Sequence, residues 1–254
     1  MAEKKYTPMM QHYLKMKEEN PDAILFYRLG DFYEMFFEDA KLVSQELDLV
    51  LTGRSAGVEE KVPMCGVPFH AANSYIQRLV KKGYKVAICE QLTDPSSAKG
   101  LVDRGIIKII TPGTYMDATM DAKSTNYMAS CEISSFEITV IYCELSTGEL
   151  KYQTLQRSLV SLQKALLEQN VSELVCPMTM DKKWMAALEE MDAMVISKHK
   201  KANIDSEDLP LLNGIESESL KEAFALLMAY LKDTQKQHID HFLPIESMDK
   251  DKVL

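Results

Sequence analysis

Long apolar segments are missing from this sequence of 254 residues. No apolar run approaches the length of about 18 residues that a membrane-spanning helix needs. The N-terminus leads into a polar helix, and it lacks the apolar core of a secretory signal peptide. We therefore expect a cytoplasmic protein that has no membrane partner.

Paired cysteines are missing as well. The sequence has five cysteines, an odd number, and none of them forms a Cys-x-x-Cys pair. This spacing argues against a disulfide framework and against a metal site, and it favours buried thiols in a reducing compartment. His238 and His241, with Asp240 between them, lack a second cluster that would complete a coordination shell.

The sequence also has no Gly-x-x-x-x-Gly-Lys-Ser/Thr segment, which is the loop that cradles nucleotide phosphates. We therefore expect that this chain does not hydrolyse ATP. We expect no catalytic residues, no metal site and no cofactor in this chain.

The charge pattern differs between the two halves of the chain. The net charge is −9, which argues at first against nucleic acid because phosphate contacts dominate such affinity. The acidic excess lies in the second half, however, and residues 1–118 are close to neutral. A neutral domain can carry a basic face, for which the candidates are Arg54, Lys61, Arg78, Lys81, Lys82, Lys85, Arg104 and Lys108.

The first 115 residues predict a compact α/β domain with a mixed sheet. Helices are expected at 8–19, 38–47 and 74–82, and strands at 24–27, 49–51, 84–89 and 106–110. Residues 52–68 are rich in glycine, proline and charge, which favours a loop or the end of a hairpin.

A second α/β domain is predicted at 126–246, after a linker at 116–125. Its first part reads as a meander of three strands, and helices and strands then alternate. A strong helix is expected at 220–231. Residues 247–254 form a tail without a clear structural signal.

The segment at 30–37 combines a turn, aromatic residues and a carboxylate. Gly30 and Asp31 break the preceding strand, so Phe32 and Glu34 should lie at a junction and point the same way from an extended segment. The helix that follows already has an apolar stripe of its own, which leaves Phe32 free to be exposed. Tyr33 should point in the opposite direction, into the core.

At this segment the sequence resembles the MutS family of DNA mismatch repair proteins. Residues 25–36 (LFYRLGDFYEMF) resemble the family's mismatch-recognition motif, with its Phe-x-Glu element at Phe32 and Glu34. Three further segments agree in order and spacing: 63–70 (PMCGVPFH), 86–91 (VAICEQ) and 109–114 (IITPGT). The resemblance continues more weakly to the end of the chain.

The resemblance implies a mismatch-recognition domain followed by a connector domain with a ribonuclease H-like fold. Phe32 would enter the minor groove as a wedge and Glu34 would inspect the displaced base. Arg54 and Lys61 would reach phosphates, and the segment that holds Met64, Val67 and Pro68 would follow the minor groove.

The resemblance also carries expectations for a longer protein. The intact family protein is a homodimer that uses ATP and Mg²⁺ through a further domain and recruits MutL through the connector domain. This chain therefore looks like an N-terminal fragment that binds mismatched duplex DNA.

An enzymatic alternative rests on acidic residues and a lysine. Asp22, Glu59 and Lys61 superficially resemble the pattern of metal-dependent nucleases, in which carboxylates hold Mg²⁺ and lysine assists the attacking water. The pattern is weak because Glu59 and Lys61 fall in a glycine-containing loop, which lacks rigid placement.

Overall fold

The computed structural model describes residues 6–93, 102–116 and 125–249. The chain divides between Thr111 and Pro112 into two compact units. Residues 117–124 of the predicted linker and 250–254 of the predicted tail lie outside the described residues, so those boundaries stay predictions. None of the helices in the described part of the chain is long and apolar enough to cross a membrane.

The first unit is a six-stranded mixed sheet. Its strand order is β3-β4-β2-β1-β5-β6, and only β1 and β5 run parallel among the paired neighbours. The elements are α1 (Pro8–Glu19), β1 (Ala23–Leu29), β2 (Phe32–Phe36), α2 (Phe37–Leu47), β3 (Thr52–Arg54), β4 (Val62–Pro68), α3 (Ala72–Lys81), β5 (Lys85–Gln91) and β6 (Arg104–Ile110).

Helices cover both faces of this sheet. The α1 helix begins at Pro8 because the Thr7 side chain caps it, and it packs on the face of β1 that holds Leu25 and Tyr27. The α2 helix packs on β2 and β4, and α3 packs on β5. Burial on both faces explains why the sequence of β1 is almost continuously apolar.

Two expectations for the first unit are wrong in detail. The third strand is Thr52–Arg54 and not 49–51, and residues 62–68 form the interior strand β4 instead of a loop. The second helix begins at Phe37, one residue before its predicted start, and Met35 and Phe36 belong to β2. Glycine and proline disfavour strands locally, but pairing of β4 with β2 and β3 on its two sides outweighs that preference.

The second unit has its own six-stranded mixed sheet, in the order β11-β10-β7-β8-β9-β12. The strands β7, β8 and β9, consecutive in the chain, pair antiparallel, whereas β10 runs parallel to β7 and to β11, and β12 runs parallel to β9. The elements are β7 (Tyr127–Ile133), β8 (Glu137–Glu144), β9 (Glu149–Gln156), α4 (Leu159–Glu168), β10 (Val171–Pro177), α5 (Lys182–Glu189), β11 (Val195–His199), α6 (Glu218–Gln235) and β12 (Glu246–Ser247).

This sheet also lies between two layers of helices. The α6 helix packs on one face, where Phe224 and Leu227 belong to the core, and the other face is covered by α4 and α5 through Leu162 and Leu188. The predicted fold class, two α/β domains with mixed sheets, is therefore confirmed.

The turn between β8 and β9 is fixed by a carboxylate. Glu144 accepts hydrogen bonds from the Ser146 hydroxyl at 2.6 Å and from the Thr147 amide at 2.9 Å. Burial alone would raise the pKa of Glu144, but these hydrogen bonds outweigh it and lower the pKa. Glu144 thus has a structural role in this turn.

Candidate nucleic-acid interface

Phe32 is the first residue of β2, directly after the tight turn that joins β1 to β2. Gly30 has a φ of 60°, in the left-handed region that glycine adopts without strain, and this permits the turn. Leu29 and Phe32 are paired across the hairpin. The Phe32 ring is 46% exposed, which is unusual for a phenylalanine in a strand.

The alternation of β2 separates two sets of side chains. Tyr33 and Met35 are buried on one face, and the Tyr33 ring lies 5.9 Å from Phe26. Phe32 and Glu34 lie on the other face, at the open end of the sheet. The extended geometry therefore places a partly exposed aromatic ring beside a carboxylate.

The neighbouring strand β4 leaves room between these two side chains. Pro68 is paired with Phe32, and Gly66 is paired with Glu34. A Cβ atom on Gly66 would lie 3.5 Å from Glu34 Cγ and 3.8 Å from Phe32 Cδ1. Since glycine has no side chain, β4 places no side chain against Glu34 at this position.

Glu34 has a cationic partner. Arg54 Nη1, from β3, donates to Glu34 Oε2 at 2.5 Å. The Glu34 side chain is only 14% exposed and the Arg54 side chain is 37% exposed, so the pair is only partly accessible to water. The carboxylate next to Phe32 is therefore held as one half of a neutral pair.

Arg28 stabilises the turn that precedes Phe32, from the face of the sheet that holds Tyr33. Arg28 Nε donates to the Gly30 carbonyl at 2.5 Å, and its Nη1 donates to Glu90 at 3.3 Å. The guanidinium also stacks on the Phe69 ring, and the Phe69 amide donates to the Asp31 carbonyl at 2.9 Å. These contacts connect the hairpin to β5 and to the end of β4.

Glu90 completes this support from β5. The Tyr33 hydroxyl donates a hydrogen bond to Glu90, and burial together with this carboxylate raises the pKa of Tyr33. The local sequence does not identify Arg28, Phe69 and Glu90 as supporting residues. Each lies within one of the segments that resemble the family motifs, which was the available signal.

Comparison with known proteins agrees with this architecture. Residues 7–119 match the family model described as MutS domain I. The chain is 44% identical over 253 residues to the DNA mismatch repair protein MutS of Bacillus licheniformis, an alignment that covers 98% of the chain and 28% of that relative. Residues 7–119 are therefore identified as a MutS domain I, and the chain as a whole is similar to part of the MutS proteins.

Two further MutS proteins show similar agreement. The identity is 43% over 242 residues with the protein of Bacillus subtilis and 43% over 251 residues with that of Clostridium tetani, which covers 95% and 93% of this chain. The chain spans about 28% of the length of these MutS relatives. Phe32 and Glu34 both lie within residues 7–119, the part of the chain that matches MutS domain I.

The other predicted contact residues of this MutS domain fall into different environments. Lys61 is exposed, directly before β4. Pro68 is half-buried beside Phe32, and Met64 is half-buried and packs against the core below α1. Val67 is 1% exposed and lies on the face of Tyr33, because strand alternation turns it inward. The Val67 side chain is therefore not accessible for the predicted minor-groove contact.

Several of the basic candidates have structural partners. Arg104 is buried, and its Nε donates to the Arg28 carbonyl at 2.9 Å. Lys82 pairs with Glu46 at 2.5 Å. Lys108 is half-buried, and burial lowers its pKa. These residues do not form a continuous exposed basic face in the described part of the first unit.

The nuclease alternative is not favoured. Asp22 lies in the turn before β1, and Glu59 and Lys61 lie in the exposed connection between β3 and β4. Within residues 6–93, 102–116 and 125–249, no group of three or more His, Cys, Asp or Glu side chains could hold a metal ion. Rigidly placed carboxylates, which metal-assisted cleavage requires, are thus lacking there.

Proposed function

We propose that this chain recognises mispaired or unpaired bases in duplex DNA as part of a full-length mismatch repair protein, and that Phe32 is the wedge. The observation that carries the proposal is the half-exposed ring of Phe32, held at the tip of a fastened hairpin beside Glu34. The printed names of the relatives, DNA mismatch repair protein MutS, support the same function.

The wedge discriminates by the cost of deforming DNA. Inserting an apolar side chain between base steps from the minor groove costs a few kcal/mol of unstacking and kinks the duplex. A mispaired or extrahelical base has already lost part of its pairing energy, so the cost is lower at that site. Phe32 stacks on the displaced base, and the site is selected by how easily the DNA deforms and not by its base sequence.

Glu34 adds discrimination against ordinary duplex. A carboxylate close to DNA is repelled by the phosphates. It is tolerated where a displaced base donates a hydrogen bond to it, or where the carboxylate takes up a proton. Gly66 has no side chain that would hinder the edge of the base as it approaches Glu34 beside Phe32.

The remaining contacts are weaker and less specific. Lys61 and Arg54 contact phosphates, and Pro68 and Met64 follow the minor groove next to the wedge. The second unit recruits MutL, and the full-length protein is a cytoplasmic homodimer that couples recognition to ATP and Mg²⁺ through regions outside this chain. The acidic composition of the second unit supports a protein partner for this unit instead of DNA.

A salt-matched titration of the full-length protein tests the wedge. The wild type, Phe32→Ala and Phe136→Ala are compared on a duplex with one unpaired thymine and on its fully paired twin. Phe136 is the control because it is 90% exposed but lies in the second unit. We expect that only Phe32→Ala loses the preference for the unpaired thymine and keeps weak binding to both duplexes. Equal binding of both duplexes by the wild type would refute the proposal.

A further inference from the structure

The ion pair between Glu34 and Arg54 links the inspecting carboxylate to a residue outside its own hairpin. Arg54 is paired with Val62 on one side of β4, and Glu34 is paired with Gly66 on the other side. Residues that are paired across antiparallel strands share a face. Arg54 therefore reaches Glu34 across β4, and Gly66 has no side chain to stand between them.

We propose that Arg54 is a specificity-determining residue that holds Glu34 in one orientation and cancels its charge until a displaced base takes its place. This inference rests on the proposed function of Glu34. It assigns to Arg54 a role that a simple phosphate contact would not have, because the role depends on the carboxylate.

The burial of the pair supports this role. Glu34 is 14% exposed, so water screens its charge weakly and Arg54 provides the main compensation. If Arg54 is removed, the carboxylate remains partly buried without its partner, and its side chain is free to turn away from Phe32. The hydrogen bond to a base then loses the preorganised acceptor on which it depends.

The pair also adds a cost on paired DNA. Phosphates attract the Arg54 guanidinium, and any shift of Arg54 toward them uncovers Glu34. On paired DNA nothing replaces the lost partner of the carboxylate. At a displaced base, a hydrogen-bond donor replaces it. The loss of the Glu34–Arg54 ion pair is therefore compensated only at a mismatch. This increases the difference in binding free energy between mismatched and paired DNA.

A double-mutant cycle on the full-length protein separates the two roles. The wild type, Arg54→Met, Glu34→Gln and the double variant are titrated at one salt concentration against the duplex with one unpaired thymine and its paired twin. The quantity compared is the ratio of the two affinities. We expect Arg54→Met to lower this ratio by about threefold or more, as for residues in direct contact, and to leave it unchanged when Glu34→Gln is already present.

Two further variants keep the test independent of folding. Arg54→Lys keeps the charge but loses the planar fork, so it should restore part of the ratio, whereas Arg54→Gln should not. Thermal unfolding of each variant identifies any that does not fold. If Arg54→Met does not fold, Arg54→Lys and Arg54→Gln replace it in the double-mutant cycle with Glu34→Gln.

Failure of this inference is distinguishable from failure of the proposed function. If Phe32→Ala abolishes the preference but Arg54→Met weakens both duplexes by the same factor in both Glu34 backgrounds, Arg54 is a phosphate contact only and the inference is overturned. If the wild type shows no preference at all, the wedge itself is refuted together with the role of Arg54.

Discussion

The guanidinium of Arg28 lies 3.7 Å from the centroid of the Phe69 ring. The same guanidinium holds the turn before Phe32 and pairs with Glu90. The Arg28 side chain thus joins the β1–β2 turn, β5 and the segment after β4, next to Phe32. It lies on the face of the sheet opposite to Phe32.

Replacing Arg28 should loosen the wedge without removing it. Stacking of a cation on an aromatic ring contributes about 0.5–2 kcal/mol, and the ion pair with Glu90 is half-buried. We expect Arg28→Met to lower the free energy of unfolding of the first unit by about 1–2 kcal/mol and to weaken binding to the unpaired-thymine duplex. Urea unfolding and duplex titration measure these effects.

The control for this prediction is Arg78→Met. Arg78 is exposed on α3, so its replacement should leave the free energy of unfolding and the preference for the unpaired-thymine duplex unchanged. Equal effects of the two substitutions would show that Arg28 does not support the hairpin specifically.

Gly66 is expected to be intolerant of a methyl group. A Cβ at this position would lie 3.2 Å from the Tyr33 carbonyl oxygen, which belongs to the paired strand and cannot move freely. We expect Gly66→Ala to cost about 1 kcal/mol of stability and to reduce the preference for the unpaired thymine, because the methyl group enters the space between Phe32 and Glu34. Thermal unfolding and the two-duplex titration test both effects.

Gly105→Ala is the matched variant for Gly66→Ala. The nearest atom to a Cβ at Gly105 is the end of the flexible Leu92 side chain, at 3.1 Å. Both substitutions reduce the freedom of the unfolded chain equally. A Gly66→Ala protein as selective as the Gly105→Ala protein would contradict the role of the open space.

Lys61 should act as a charge and not as a reader of the base. It is exposed beside β4, and a phosphate contact carries no information about the mismatch. We expect Lys61→Met to weaken binding to paired and unpaired duplexes by the same factor, and to reduce the slope of log affinity against log salt by about 1. Lys164→Met, in the second unit, should leave the slope unchanged.

His12 should make the stability of the first unit depend on pH. Burial, and then the charge of Arg104, lower the pKa of His12, and its Nδ1 lies 2.8 Å from the Tyr27 hydroxyl. The unfolded chain therefore binds a proton at this residue more readily than the folded unit does. The contribution of neutral His12 to stability is complete above its ordinary pKa of about 6.5 and is lost as the pH falls below it.

The variant His12→Gln isolates this effect. Urea unfolding of the wild type and the variant between pH 8 and pH 5 should show a steeper loss of stability for the wild type. The only tryptophan, Trp184, lies in the second unit, so hydrogen exchange in β1 is the suitable probe. Parallel curves for the two proteins would show that His12 does not contribute.

Local patterns were sufficient to predict that the Phe32 side chain is exposed. The α2 helix has its own buried stripe in Ala40, Val43 and Leu47, which leaves no core position for Phe32. Strand alternation then separates Tyr33 from Phe32. The alternation in the second unit of helices at 159–168 and 182–189 with strands likewise gave the element order that the structure shows.

Contacts between distant residues were not accessible in the same way. The Arg28–Glu90 pair joins residues 62 apart, and the Glu34–Arg54 pair joins residues 20 apart. Nothing in the local sequence of Arg54 distinguishes an ion pair from a phosphate contact. The strand β4 was missed because Pro63, Gly66 and Pro68 favour a loop locally, and only its two partner strands stabilise it.

The five cysteines of the chain are all buried. In the first unit, burial raises the pKa of Cys65 to about 11 and that of Cys89 to about 12, so neither is a reactive thiolate near neutral pH. The folded chain therefore needs no cysteine replacements before it is labelled. A single substitution at the exposed Asp31, such as D31C, can carry a fluorophore next to the wedge and report the insertion of Phe32 in real time.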